Sequence, residues 1–348
     1  MTETVVGGAP PAEPATLASP GAGPWVLARR RLMRNRIALV ALGVFVVIVL
    51  VCLAAPIYAR NIAHTDPFRS NLNGTTVVNG KTVPVMQQTT TGLGLGETPI
   101  GPTWDPANYF LGADSQGRDV AARLLYGGRN SLMIGIAAAL ITCLLATVIA
   151  IVAGFFGGLT DGVLARGLDV IWAFPVFLLA ICLSTVLLTS GGFALGPVSI
   201  QAGSLALPIL IIGIVYIPYV ARPLRGEVLS LRQREFVEAA EGLGASDWRL
   251  LWNEILPNVT TTMIVFIPIM IALAMLTEAA LSFLSIGVQP PAASWGTIIN
   301  DGQGLLYTRP VVALAPGIAI VLTVLALNVF GDGVRDALDP RAKHRGPA

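Results

Sequence analysis

The chain has 348 residues, 54% of them hydrophobic and only 12% charged, and its mean hydropathy is +0.72. That composition excludes an ordinary soluble domain and requires lipid as solvent. A formal net charge of +2, scattered along the chain, argues against a nucleic-acid partner; Cys52, Cys143 and Cys182 stand far apart in apolar runs, unlike a disulfide framework or zinc site, and read as packing residues.

Residues 1–24 are rich in Pro, Ala and Gly without an apolar period, which predicts a disordered cytoplasmic extension. Residues 1–36 form an N-terminal unit that ends in Arg29, Arg30, Arg31, Arg34 and Arg36. A cleaved signal peptide is not expected, because the apolar run begins only at Ile37 and is too long for a signal h-region. About 20 apolar residues are needed to cross about 30 Å of hydrocarbon. Six stretches qualify: 37–59, 132–155, 170–188, 205–220, 263–284 and 311–330. Pro175, Pro208, Pro218, Pro268 and Pro316 lie within them, which is tolerated where neighbouring helices satisfy the freed carbonyls.

The N-terminal arginines place that end in the cytoplasm. With six spans the tail bearing Arg335, Arg341, Lys343 and Arg345 returns to the same side, as do Arg166 and a loop with Arg222, Arg225, Arg232, Arg234 and Arg249. The external segment after the first span, 60–130, is long enough to hold structure. Residues 75–78 and 81–85 are β-prone runs around Asn79-Gly80, a pair suited to a type I′ turn, so a small hairpin is expected. Gly80-Lys81-Thr82 imitates the end of a phosphate-binding loop, but Thr75 occupies the position that must be Gly; nucleotide binding is not expected there. The remainder, 131–345, holds the other five spans. His64 and His344 lie in polar ends without a ligand set, so no metal site is expected.

Between spans four and five, residues 222–258 are polar and helix-forming. A first helix is expected over 225–241, stopped by Gly242 and Gly244. Ser246 then caps a second helix with Asp247 in its first turn. On that helix Trp248, Leu251, Trp252 and Ile255 share one face by their spacing, and Pro257 marks the return to the bilayer. So short a helix needs a partner for its aromatic face. The residues alone leave open whether that is another protein, the chain's own spans or lipid headgroups.

The string EAAEGLGASDWRLLWNEILPN, residues 238–258, resembles the EAA loop of binding-protein-dependent ABC importers. Glu238, Ala239, Ala240, Gly244, Leu256 and Pro257 match in identity and spacing, while Glu254 stands where the broad pattern has Ile. Three further strings resemble the dipeptide, oligopeptide and nickel permeases: residues 111–132 before span two, 281–296 around the outer end of span five, and 331–341 at the C-terminus. The resemblance implies an all-α polytopic membrane protein with six transmembrane helices and the type I importer permease (MetI-like) fold. It implies an ATPase-coupling surface at Glu238, Ala239, Ala240, Gly244, Trp248, Leu251, Ile255, Leu256 and Pro257. It further implies a bacterial cytoplasmic-membrane location, a second homologous permease, two cytoplasmic ATP-binding subunits that hold ATP and magnesium, and an external solute-binding protein. The expected function is import of short peptides, with no cofactor on this chain and no catalysis by it; the alternatives are nickel or another small solute, and an ion-coupled secondary transporter.

A second Glu-Ala-Ala, Glu278 to Ala280, lacks the following Gly and Leu-Pro. An ionisable residue within a span is costly in lipid, so Glu278 faces protein or a watery cavity. Its residues leave a substrate path and a structural hydrogen bond equally open. Asp169 and Glu227 read as solvated charges near membrane boundaries.

Overall fold

A computed structural model describes residues 24–78, 80–89, 96–195 and 198–339. The expected N-terminal extension, the turn residue Asn79 and the tail with Arg341, Lys343, His344 and Arg345 lie outside the described residues. A short basic helix α1 (Pro24–Leu32) leads into α2 (Arg36–Leu53). Asn35 caps α2 by accepting from the Ala38 amide at 3.1 Å. After α3 (Ala55–Ile57) and a π-turn at Tyr58–Ile62, the chain makes two antiparallel hairpins. These are β1 (Thr75–Val78) with β2 (Lys81–Pro84), and β3 (Met86–Gln88) with β4 (Glu97–Pro99). Val78 pairs with Lys81 and Gly80 takes φ 75, so the lysine of the imitation phosphate loop sits in a hairpin instead of at a helix start.

Helix α4 (Val120–Phe156) has 37 residues, about 55 Å at 1.5 Å per residue. It is longer than the hydrocarbon thickness, and its first turns lie within residues 120–130 of the segment that follows the first span. Asp119 caps it, accepting from the Ala121 and Ala122 amides at 2.8 and 3.1 Å. The chain continues through α5 (Gly158–Trp172), α6 (Val176–Thr189), the hairpin β5 (Gly192–Leu195) with β6 (Val198–Gln201), α7 (Ala206–Val215) and α8 (Ile217–Arg232). It ends through α9 (Glu235–Gly242), α10 (Asp247–Leu250), α11 (Leu256–Phe283), α12 (Trp295–Gly302) and α13 (Val311–Leu338).

Helices α2, α4, α13 and a continuous Asp247–Phe283 helix that joins α10 to α11 are long and apolar enough to cross a membrane. Counting α5 with α6 and α7 with α8 as broken spans gives six. The apolar run at 170–188 is therefore not one straight helix: α5 and α6 meet at 86°. Pro175 lacks an N–H and disfavours helix in the residue before it, which puts the corner at 173–175. The run at 205–220 likewise bends by 41°, at Tyr216 just before Ile217-Pro218.

Helix α4 is the central post. Its Ala138, Ala139, Ala146 and Ala150 are fully buried and let α7, α8 and α11 approach closely, as small residues do between helices in lipid. At Gly154 a β-carbon would stand 2.7 Å from the Val228 side chain of α8, so that crossing needs glycine.

Candidate coupling surface and its supports

Residues 222–258 do not form the two simple helices their pattern suggests. Helix α8 stops at Arg232, and α9 restarts at Glu235. Gly242 closes α9 and Gly244 adopts φ 85, a left-handed geometry that disfavours any side chain. The turn is held by the Gly244 amide on Glu241 O at 2.8 Å and the Ala245 amide on Ala240 O at 3.0 Å. Ser246 caps the next helix, its Oγ accepting from the Arg249 amide at 3.4 Å.

That next helix is the first part of span five itself. A π-turn at Leu251–Ile255 carries α10 into α11 without a break. Its wider turn accommodates Pro257, which has no N–H to give and whose ring crowds the preceding turn. The extra residue rotates the register. Ile255 is thereby fully buried in the main core, whereas Trp248 and Trp252 remain 68% and 52% exposed. The expected common face of Trp248, Leu251, Trp252 and Ile255 is thus split: Ile255 points inward, and the other three, with Leu256, line an apolar groove of about 530 Å³ against α4. The two indoles pack edge to face at 5.5 Å.

The surface open to a partner lies on α9 and the glycine turn. Leu243 is 90% exposed, and Glu238 and Ala239 are also exposed. Ala239, Ala240 and Leu243 share a cleft of about 410 Å³ with Phe236, Arg249 and Leu250. Leu243 and Phe236 were passed over in the sequence, although their spacing with Ala239 and Ala240 was the available signal. Val237 and Leu250 anchor the loop beneath. Its base is braced by Asp161 of α5, which takes both Arg225 Nε and Arg225 Nη2. Arg222 pairs with Asp169 and stacks 5.1 Å from the Trp172 ring centre; Glu227 accepts from Thr262 Oγ1 at 3.0 Å. Asp169 and Glu227 are therefore partnered, not simply solvated.

At the other end of the same long helix, Glu278 has no exposed surface. Ser131 Oγ of α4 donates to its Oε2 at 2.8 Å and Ser282 Oγ to its Oε1 at 2.6 Å. The serines in turn accept from the Trp295 and Val288 amides at 3.1 and 3.0 Å. Two strings that stand apart in the sequence, 111–132 and 281–296, meet at this carboxyl group. Above it Arg118 and Arg123 both reach Asp301 of α12, at 2.9 and 2.8 Å, and Arg118 also binds Asp114 at 2.7 Å. Burial pushes the Asp301 carboxyl above its ordinary range, with the two arginines opposing. Burial likewise raises Asp119, against its capped amides.

Residues 146–344 match the family described as binding-protein-dependent transport system inner membrane component. This chain belongs to that family. Residues 23–73 of the permease match a second family, the N-terminal transmembrane domain of oligopeptide transport permease C. Among its relatives, the glutathione transport system permease protein GsiD of Pectobacterium atrosepticum is 39% identical over 68% of this chain and 73% of that protein. A Brucella abortus permease, provisionally named for peptide transport, is 36% identical over 96% and 99% of the two chains. The dipeptide transport system permease protein DppC of Alkalihalophilus pseudofirmus is 32% identical over 92% and 91%. A solved structure of the MetNI methionine ABC transporter, inward facing, aligns with TM-score 0.48 and 15% identity, covering 62% of this chain and 95% of that one. The permease is thus a multi-pass inner-membrane subunit of an ABC system, itself non-catalytic, that works with ATPase and binding-protein partners.

Proposed function

We propose that the permease imports short peptides across a bacterial cytoplasmic membrane, with both of its termini on the cytoplasmic side. It pairs with a second homologous permease, giving twelve spans around one path, and works with two cytoplasmic ATPases and an external solute-binding protein. ATP and magnesium are held by the ATPases. The peptide substrate rests on relatives named for dipeptide and glutathione transport. The coupling role rests on one observation: the exposed α9–Gly244 turn leads directly into a membrane-crossing helix that runs to Phe283.

ATP can shift the permease between inward-open and outward-open forms only by binding one arrangement of the assembly more tightly than the other. Closure of the ATPase pair around ATP moves the docked α9 turn, and the α10–α11 helix carries that movement into the bilayer. Glu238, Ala239, Ala240, Gly244 and Trp248 are the contact residues of this reading, joined by Leu243.

The test is uptake of a radiolabelled dipeptide into proteoliposomes that hold the full assembly and its binding protein. Leu243→Asp should reduce both uptake and substrate-stimulated ATP hydrolysis at least tenfold, on the scale of losing a central apolar contact, with unchanged thermal stability because Leu243 is exposed. Normal coupling in this variant would refute the docking assignment. Glutathione taken up in preference to dipeptides would narrow the substrate to that tripeptide, and uptake of nickel alone would refute the peptide reading.

A further inference from the structure

Helix α1 packs on α13, with a cleft between these two helices and α11. The cleft, about 360 Å³, is walled by Trp25, Ala28 and Leu32 of α1, by Ile267 and Pro268 of α11, and by Val334 and its neighbours on α13. Its lining is almost wholly apolar except for Arg29 at the rim, and its volume falls in the roughly 300–1,000 Å³ range of small-molecule sites. Arg29 also opens onto a second, basic cleft shared with Arg30 and Arg34. Arg31 is committed elsewhere: its Nη1 donates to the Asp339 carbonyl at 2.9 Å and ties α1 to the end of α13. Among the described residues, no carboxylate lies within ion-pairing distance of Arg29, Arg30 or Arg34. Trp25, Val26 and Met33 stand beside these arginines with about half of their surface exposed, the mixed character of a helix lying in a membrane interface.

We propose that this cleft is a binding site for one anionic phospholipid of the cytoplasmic leaflet, its acyl chain between α1, α11 and α13 and its phosphate on Arg29, Arg30 and Arg34. Two complementary features sit side by side: an apolar slot that water gains nothing by filling, and cations at its mouth that no carboxylate among the described residues pairs. A phospholipid matches both, and the cytoplasmic leaflet supplies anionic headgroups that favour basic juxtamembrane segments. The residues after α13 fit poorly, because they carry Arg341, Lys343 and Arg345 and no large apolar side chain. The lipid would pin α1 over the stretch of α11 that contains Pro268.

The test is native mass spectrometry of the whole transporter released from nanodiscs of mixed phosphatidylglycerol and phosphatidylcholine. Wild type should retain one phosphatidylglycerol at this permease in preference to phosphatidylcholine. The Arg29→Ala, Arg30→Ala, Arg34→Ala triple variant should lose that preference, by roughly fivefold per arginine. The corresponding triple lysine variant should keep it, which separates lost charge from a misfolded α1. Ala337→Phe, which fills the slot and leaves the arginines, should lose the lipid altogether. Equal retention of the two lipids by wild type would overturn the proposal. So would displacement by inorganic phosphate, which would mean that the acyl chain contributes nothing, or an empty cleft in the assembled transporter beside an occupied one in the isolated chain, which would mean that a protein partner fills it.

Discussion

Replacing Glu278 with Ala removes the acceptor that joins α4, α11 and α12. Ser131 and Ser282 are 1% and 0% exposed, so bulk water does not reach their hydroxyl protons, and only a water trapped in the new cavity could replace the lost acceptor. An unsatisfied buried donor costs about 1–3 kcal/mol. Each serine can turn its hydroxyl onto the carbonyl one helical turn back, but each must also keep accepting from a backbone amide, Ser131 from Trp295 and Ser282 from Val288, which limits that escape. With the cavity left by the side chain, the expected loss is at least about 2 kcal/mol, or roughly 4 °C or more in midpoint at about 2–4 °C per kcal/mol for a large domain. The assay is the loss of monodisperse protein on heating in detergent, followed by size-exclusion chromatography. A double-mutant cycle with Ser131→Ala should give a coupling of about 0.5–3 kcal/mol, as expected for groups in direct contact. Glu278→Ala with an unchanged midpoint but abolished uptake would refute this reasoning and place the carboxyl group in the substrate path.

Three further outcomes follow from the geometry. Gly154→Leu should destabilise by about 1–3 kcal/mol through overpacking, and Val228→Ala in the same chain should restore part of the loss, both read as thermal midpoints. Ile255→Ala should cost about 2–5 kcal/mol as a core truncation, whereas Trp248→Ala should leave stability nearly unchanged and act on coupled ATP hydrolysis. Because burial raises Asp119, the native state holds its proton more tightly than the unfolded chain, so its contribution to stability falls as pH rises from about 3.8 through the higher native value. Asp119→Asn keeps a competent cap and should flatten that fall in hydrogen-exchange protection of residues 120–124; an unaltered slope would refute it.

The membrane class, the runs that cross the bilayer and the α9–Gly244–Ser246 turn were legible in the sequence, because apolar length, turn glycine and capping serine act locally. The 86° corner was half legible: Pro175 signals a break, but nothing in the run 170–188 sets its angle. The π-turn at Leu251–Ile255 was not legible, since a 3.6-residue period projected through it puts Ile255 beside Trp248 and hides the inward rotation. Nor were the partners of Glu278, because Ser131 lies 147 positions away and only the packing of α4 on α11 brings it near. Leu243 was legible but passed over: it completes the i, i+3, i+4, i+7 face of Phe236, Ala239 and Ala240.

The π-turn also decides what kind of machine part span five is. A loop joined to its span by a flexible link would let the two ends of the helix move independently, and a path open to both sides at once would be within reach. Here a single rod of about 55 Å is held at its far end by the Glu278 clasp and is softened at the π-turn, where Pro257 withholds an amide, and again at Pro268. Motion imposed at Asp247 is passed on through a continuous helix, with no loop in between, as far as Pro268. Opening at one end and shutting at the other then become the same displacement, an interlock made of stiffness that needs no separate gate.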